Sequence, residues 1–159
     1  VTSSQTYEIT PVGVLRTPYQ SVAQAPIQGA FEPQGEATLE VGEQYTEGLD
    51  DIEGFSHLIV VYLLDRAGEV RMKPLPLLDD TPHGVFATRN PRRPNKLGLV
   101  VASLVRHDGR TLHLRGVDAL DGSPVIDIKP YVARFDSFPD ASEGWFAGRE
   151  NRPKPPGRE

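Results

Sequence analysis

The greatest concentration of chemically useful side chains lies in residues 83–98. There Arg89, Arg92 and Arg93 stand with Asn90, Asn95 and Lys96 around Pro91 and Pro94. Proline fixes φ near −65° and reduces the freedom of the loop that carries it. Guanidinium groups on a stiff loop lose little entropy when they grip a carboxylate or a phosphate in a forked arrangement. The plain alternative is a structural loop whose arginines pair with acidic segments elsewhere, but several forked donors on a rigid loop favour a binding role. A second cluster occupies residues 116–131, with Asp118, Asp121, Asp127, Lys129 and Tyr131. Asp121 stands in Asp-Gly-Ser-Pro, which is turn chemistry. Asp127 lies inside an apolar run, where it either pairs with Lys129 or an arginine or serves as a functional carboxylate. Asp118 falls at the end of a predicted strand, where the mouth of a barrel would use it.

Other chemistries are absent. The chain has no cysteine, which excludes disulfides, thiolate zinc sites and cysteine nucleophiles and fits a cytoplasmic protein. No Gly-x-Gly-x-x-Gly, Walker loop or Gly-x-Ser-x-Gly elbow occurs, so the usual dinucleotide loop and serine acyl transfer have no support. His57, His83, His107 and His113 are scattered without metal-ligand spacing, and no metal is expected. His57 reads as a packed, hydrogen-bonded residue. The longest apolar run, residues 58–64, is far short of the ~20 residues that span a bilayer, and the opening Val1-Thr2-Ser3-Ser4-Gln5 does not resemble a signal peptide.

The net charge of −5 disfavours a nucleic-acid partner if taken alone, but the distribution is uneven. No Lys or Arg falls between Thr17 and Asp65. From Arg89 to Arg115 seven basic residues face only Asp108. One region can therefore meet phosphate while the whole stays acidic.

The elements that must position these groups are strands. Gly and Pro number 15 each in 159 residues, which favours β-structure with shaped loops over a helix bundle. Strands are predicted over 7–15, 36–41, 57–64 (apolar throughout, hence buried on both faces) and 84–88. A hairpin over 99–107 and 110–120 turns at Asp108-Gly109 in type I′ geometry. A last strand follows Asp121-Gly122, with Val125, Asp127 and Lys129 on one face. A short helical turn is expected in 49–55. The expectation is an all-β, single-sheeted small antiparallel barrel with long loops over 1–148, followed by a polar, Pro-rich tail over 149–159.

Several segments in order carry a family likeness. Gly13-Val14-Leu15-Arg16-Thr17-Pro18-Tyr19, Ala25-Pro26-Ile27-Gln28-Gly29, Phe55-Ser56-His57-Leu58, Gly84-Val85-Phe86-Ala87-Thr88-Arg89, Arg93-Pro94-Asn95 and the run from Leu120 to Tyr131 together resemble the TrmO family, also called YaeB-like or TsaA-like. The likeness covers roughly 7–146. Asn90, where relatives often have Ser, and Lys96-Leu97, where Pro-Ile is common, depart from the pattern. The resemblance implies a β-barrel methyltransferase that uses S-adenosylmethionine, usually a homodimer with its cofactor site near the subunit interface. Its substrate would be tRNA, methylated at the exocyclic nitrogen of threonylcarbamoyl-adenosine beside the anticodon. Carried over by motif, cofactor contacts fall on Pro26, Ile27, Gln28, Asp65, Arg66, Arg89, Leu99, Arg115, Gly116, Val117 and Asp118. Arg92, Arg93, Asn95 and Lys129 are candidates for RNA, and Phe86 is expected to be core packing. For the general base, Asp118, Asp127, Tyr131 and Tyr19 stay open. The alternatives are a cofactor-binding barrel that acts as a sensor, or a methyltransferase for another acceptor.

Overall fold

A computed structural model describes residues 5–155. The first four residues and 156–159, the end of the predicted tail, lie outside the described residues. Six strands, β1 (Gly13–Arg16), β2 (Glu36–Val41), β3 (His57–Leu63), β4 (Leu97–Asp108), β5 (Thr111–Arg115) and β6 (Pro124–Pro130), close into one barrel in the order β1-β2-β5-β4-β3-β6. Every neighbouring pair is antiparallel. The α-helical content among the described residues is one four-residue helix, α1 (Ala133–Asp136). The chain is all-β, as its turn-rich composition demands.

Period-two alternation builds the interior. β2 sends Ala37, Leu39 and Val41 inward. Leu15, Leu58, Val60, Leu112, Leu114 and Val125 meet them and are essentially inaccessible. Full burial of such a side chain is worth about 1.5–3 kcal/mol. Although β3 is apolar after His57, it is not buried on both faces. Leu58, Val60 and Tyr62 point inward, and Ile59, Val61 and Leu63 are only partly covered outside, because a closed barrel has one interior.

Other local expectations change for identifiable reasons. The first strand begins at Gly13 rather than residue 7, and Tyr7 and Ile9 are exposed. The segment 84–88 is not a strand but a 3₁₀ turn, Val85–Ala87, closed by the Thr88 hydroxyl donating to the Val85 carbonyl at 2.8 Å. The expected helical turn comes as two 3₁₀ pieces, Glu43–Leu49 and Ile52–Gly54, parted where Asp51 takes φ +68°. At the β4–β5 hairpin, Asp108 pairs with Thr111, so the turn residues are Gly109 and Arg110. Only Gly109 has positive φ, +58°, which is the glycine-first pattern of a type II′ turn rather than Asp-Gly type I′. β5 ends at Arg115 rather than 120, because Gly116 turns the chain away at φ +80°. In β6 a bulge changes the register, so that Val61 pairs with Asp127 but Tyr62 with Val125. Val125 is consequently inside while Asp127 and Lys129 are outside.

The polar segment from residue 149 to 155 follows the surface. Arg149 pairs with Asp79 at 3.2 Å, and Arg152 donates to the Leu77 carbonyl at 2.7 Å and pairs with Asp80 at 3.1 Å. The Lys154 ammonium donates to the carbonyls of Val22 and Ala25. Just before it, Trp145 stacks on His83 with ring centroids 4.4 Å apart and donates its Nε1–H to the Ala87 carbonyl at 2.6 Å.

Asp79 anchors this strap. A hydrogen bond from His83 at 2.8 Å, then the Asp80 N–H and Arg149, hold its carboxyl down at about 2. The folded value lies below the unfolded one, so the stabilisation is complete above the ordinary carboxylate range near pH 4 and is lost as pH falls through about 2. Trp145 is the sole tryptophan and reports the contact. Its emission should change between about pH 4 and 2, and Asp79→Asn should show the released spectrum already at neutral pH.

Candidate functional site

A cleft of about 900 Å³ opens at the end of the barrel where β3 ends and β4 begins. Its walls come from separate stretches of chain: the loop at 25–28, the end of β3 with residues 64–68, the arginine loop, the start of β4, residues 118–120, and Trp145 with Phe146.

Asp118 forms the polar centre. Its Oδ1 accepts the Tyr62 hydroxyl at 2.8 Å and its Oδ2 accepts the Gly29 N–H at 3.2 Å. Burial raises its pKa above the usual carboxylate range, while the Tyr62 hydroxyl, the Gly29 N–H and the Arg89 charge oppose the rise. Burial and then the adjacent Asp118 charge push the Tyr62 phenol far above its ordinary value, so Tyr62 stays a donor. Each carboxylate oxygen keeps further lone-pair capacity for a ligand in the cleft.

Two glycines make this geometry accessible. Gly98 pairs with Tyr62 across the β3–β4 ladder. A Cβ at residue 98 would lie 2.5 Å from the Tyr62 ring, so only glycine lets the ring lie across β4 toward Asp118. Gly29 meets the backbone of Gly116 so closely that a Cβ there would fall 1.9 Å from the Gly116 carbonyl oxygen.

The arginine loop is rigid for reasons beyond its prolines. Arg93 donates to the Thr88 carbonyl at 3.0 Å, and the Asn90 side chain accepts the Arg92 N–H at 2.9 Å. Lys96 donates to the Ala67 carbonyl at 3.0 Å. Arg89 reaches across the cleft to donate to Gln28 Oε1 at 2.7 Å. Arg66 donates to the Asp121 carbonyl at 2.7 Å and pairs with Asp65 at 3.3 Å.

Of the residues singled out in the sequence, Pro26, Ile27, Gln28, Asp65, Arg66, Arg89, Leu99 and Asp118 line this cleft, as do Arg92, Arg93 and Asn95. The others lie elsewhere. Arg115 pairs with Glu36 at 3.6 Å, Gly116 backs Gly29, and Val117 is buried. Asp127 pairs with Lys129 at 2.8 Å on the outer face of β6. Tyr131 stands edge-on to His57, with ring centroids 6.1 Å apart. Tyr19 packs near Gly35. Sequence reasoning missed Tyr62, Gly29 and Gly98. A lone tyrosine in an aliphatic strand was the available signal for the first. Phe86, expected in the core, is 74% exposed.

Among the described residues no group of His, Asp or Glu is arranged to hold a metal ion, and no helix is long and apolar enough to cross a membrane.

A small antiparallel barrel with a loop-built cleft at one end defines the class. Residues 14–137 match the model of the tRNA-methyltransferase O N-terminal domain, and the chain belongs to that family. It is 47% identical over 139 residues to a probable S-adenosyl-L-methionine-binding protein of Archaeoglobus fulgidus, covering 87% of this chain and 38% of that one. It is 34% identical over 134 residues to the tRNA (adenine(37)-N6)-methyltransferase of Mus musculus, covering 80% of this chain and 31% of the mouse protein. The chain thus spans about a third of the length of these two relatives. The crystal structure of TrmO from Pseudomonas aeruginosa superposes with a TM-score of 0.79 at 32% identity, covering 92% of this chain and 66% of that one.

Proposed function

We propose that the chain is an S-adenosylmethionine-dependent methyltransferase that modifies the exocyclic nitrogen of an adenosine beside the anticodon of tRNA, the threonylcarbamoyl form being the preferred acceptor. The observation that carries this reading is Asp118, a buried carboxylate with spare acceptor capacity, facing the Arg89–Gln28 pair across one cleft. The cleft's size and its mixture of apolar wall and a few converging polar groups suit a nucleoside-sized ligand. When bound, the cofactor supplies an electrophilic methyl group on a positively charged sulfur.

The chain's own residues divide the remaining work. Asp118 provides negative charge where the ligand carries positive charge, strengthened by poor solvation. Arg89 offers guanidinium donors to the ligand's carboxylate, with Gln28 fixing its orientation. Leu64, Leu97 and Leu99 exclude water from one wall. Arg92 and Arg93, on the same braced loop, receive the acceptor's carboxylate or phosphate. The acceptor nitrogen is delocalised into its carbonyl group and must lose a proton as it attacks. Tyr62 is held protonated and so is not the base. Among the described residues Asp65 and Asp118 are the carboxylates that face the cleft. Of these, Asp65 is the exposed one, at the rim beside Arg66.

The homodimer belongs to the same proposal. Across the outer face, Leu99, Val61 and Asp127 form one cross-strand row, and Val101, Ile59 and Lys129 the next. Leu99 and Val101 are about half exposed, at 51% and 43%, and Leu99 also lines the cleft. A second copy seated on this apolar face would bring its own Asp127 and Lys129 towards the cleft. Sedimentation over a range of concentrations reads the association.

The function is tested by incubating the protein with methyl-labelled cofactor and total tRNA and locating the label. Transfer to an adenosine beside the anticodon is the expected result. Cofactor binding without transfer to any tRNA would make the barrel a sensor. Arg89→Ala should weaken cofactor binding about 10–150-fold in calorimetry, the range for losing a charge-assisted hydrogen bond.

A further inference from the structure

Beside the cleft runs an exposed strip that the cofactor site does not use. Residues 70–73 are laced to the arginine loop by two backbone hydrogen bonds. The Arg71 N–H donates to the Arg92 carbonyl at 2.9 Å, and the Val85 N–H donates to the Met72 carbonyl at 2.9 Å. The strip is therefore tied to the turn that carries Phe86, on the same rigid frame. Phe86 is 74% exposed and Met72 56%, two bare apolar side chains on stretches of backbone that are bonded to each other. Arg71 and Lys73 flank Met72 and are also exposed. In a chain of net charge −5 this pairing of a flat ring with cations is a local concentration. One acidic residue, the exposed Glu69, precedes the strip, and the acidic residues that follow it, Asp79 and Asp80, are engaged by Arg149 and Arg152.

A basic edge beside an exposed aromatic ring is the composition that binds single-stranded nucleic acid, because every base has a face to stack and every linkage a phosphate to neutralise. Since Phe86 also lines the cleft, a base stacked on it lies next to whatever enters the cleft. We propose that Phe86 and Met72 form a stacking platform for an unpaired base neighbouring the methyl acceptor, with Arg71 and Lys73 holding the phosphates that flank it. This inference rests on the RNA-modifying reading above and names the surface that would position the substrate.

The test uses two fluorescent RNAs in anisotropy titrations: a hairpin with an unpaired loop and a fully paired duplex of the same composition. Wild type should prefer the hairpin. Phe86→Ala should weaken hairpin binding about fivefold to a hundredfold, while Phe86→Trp, which keeps a flat ring, should retain it. The Arg71→Ala/Lys73→Ala double variant should lower the slope of log affinity against log salt by about 1.4, at roughly 0.7 for each single-strand phosphate that is no longer neutralised. Equal binding of hairpin and duplex, variants that bind as wild type does, or a wild type that binds no RNA would each overturn the platform. Calorimetry with the cofactor alone separates this from failure of the parent reading. Cofactor binding without RNA binding removes the platform and leaves the cleft assignment standing. RNA binding that depends on Phe86 and Arg71, with no cofactor binding, keeps the platform and removes the methyl-transfer reading.

Discussion

Gly29→Ala should lower the melting temperature by about 6–12 °C, corresponding to about 3 kcal/mol in a domain of this size, and should abolish measurable cofactor binding. The added Cβ would fall 1.9 Å from the Gly116 carbonyl oxygen. Both partners are backbone, so no side chain can swing aside to relieve the overlap, and the loop at 25–29 must retreat from the barrel. That retreat breaks the Gly29 N–H bond to Asp118 and carries Gln28 away from Arg89. Thermal melting with and without cofactor checks both parts. A variant that melts near wild type and still binds would show that the loop yields without consequence.

Asp118→Asn should do the opposite to stability while damaging function. Asparagine keeps the shape and can still accept the Gly29 N–H. Its amide can donate to the Tyr62 oxygen once that hydroxyl rotates. The buried negative charge disappears, and with it an unfavourable desolvation. Because burial raises the folded pKa of Asp118, the native state holds its proton more tightly than the unfolded chain. Wild-type stability therefore falls as pH rises from the ordinary carboxylate value near 4 through the raised folded value, and is flat beyond it. The variant should lack that decline and melt at or above the wild-type temperature at neutral pH. Cofactor affinity should drop about 10–150-fold through loss of a charged acceptor. Parallel loss of stability and affinity would mean that Asp118 is structural rather than a ligand group.

Much of the candidate cleft's lining was legible because it is local. The arginine loop announces itself through proline and forked donors within one short stretch, whereas Asp118, expected at a strand end, lies in the segment after the Gly116 turn that closes β5. The family likeness added Pro26–Gln28 and Asp65–Arg66, which composition alone does not single out. What escaped depends on distant pieces meeting. Tyr62 has a role only because Gly98 lies opposite it and Asp118 is within reach of its hydroxyl. Gly29 matters only against Gly116, 87 positions later. Asp127 and Lys129 seemed to share a face with buried Val125 under strict alternation, and one bulge in β6 put them outside. For β3, the apolar run over 58–64 suggested a strand covered on both sides. A strand wrapped once around a cylinder, with apolar residues left outside, looks the same in sequence.

Closure of the barrel also decides how copies of the chain can meet. β1 bonds to both β2 and β6, so among the described residues each strand has a partner on both sides over at least part of its length. Recruitment of a foreign strand by backbone pairing, the usual opening to fibrils, is therefore hindered despite the aliphatic exterior of β3 and β4. What sticks to that exterior over the paired strands does so through side chains, and a charge placed there should weaken the association.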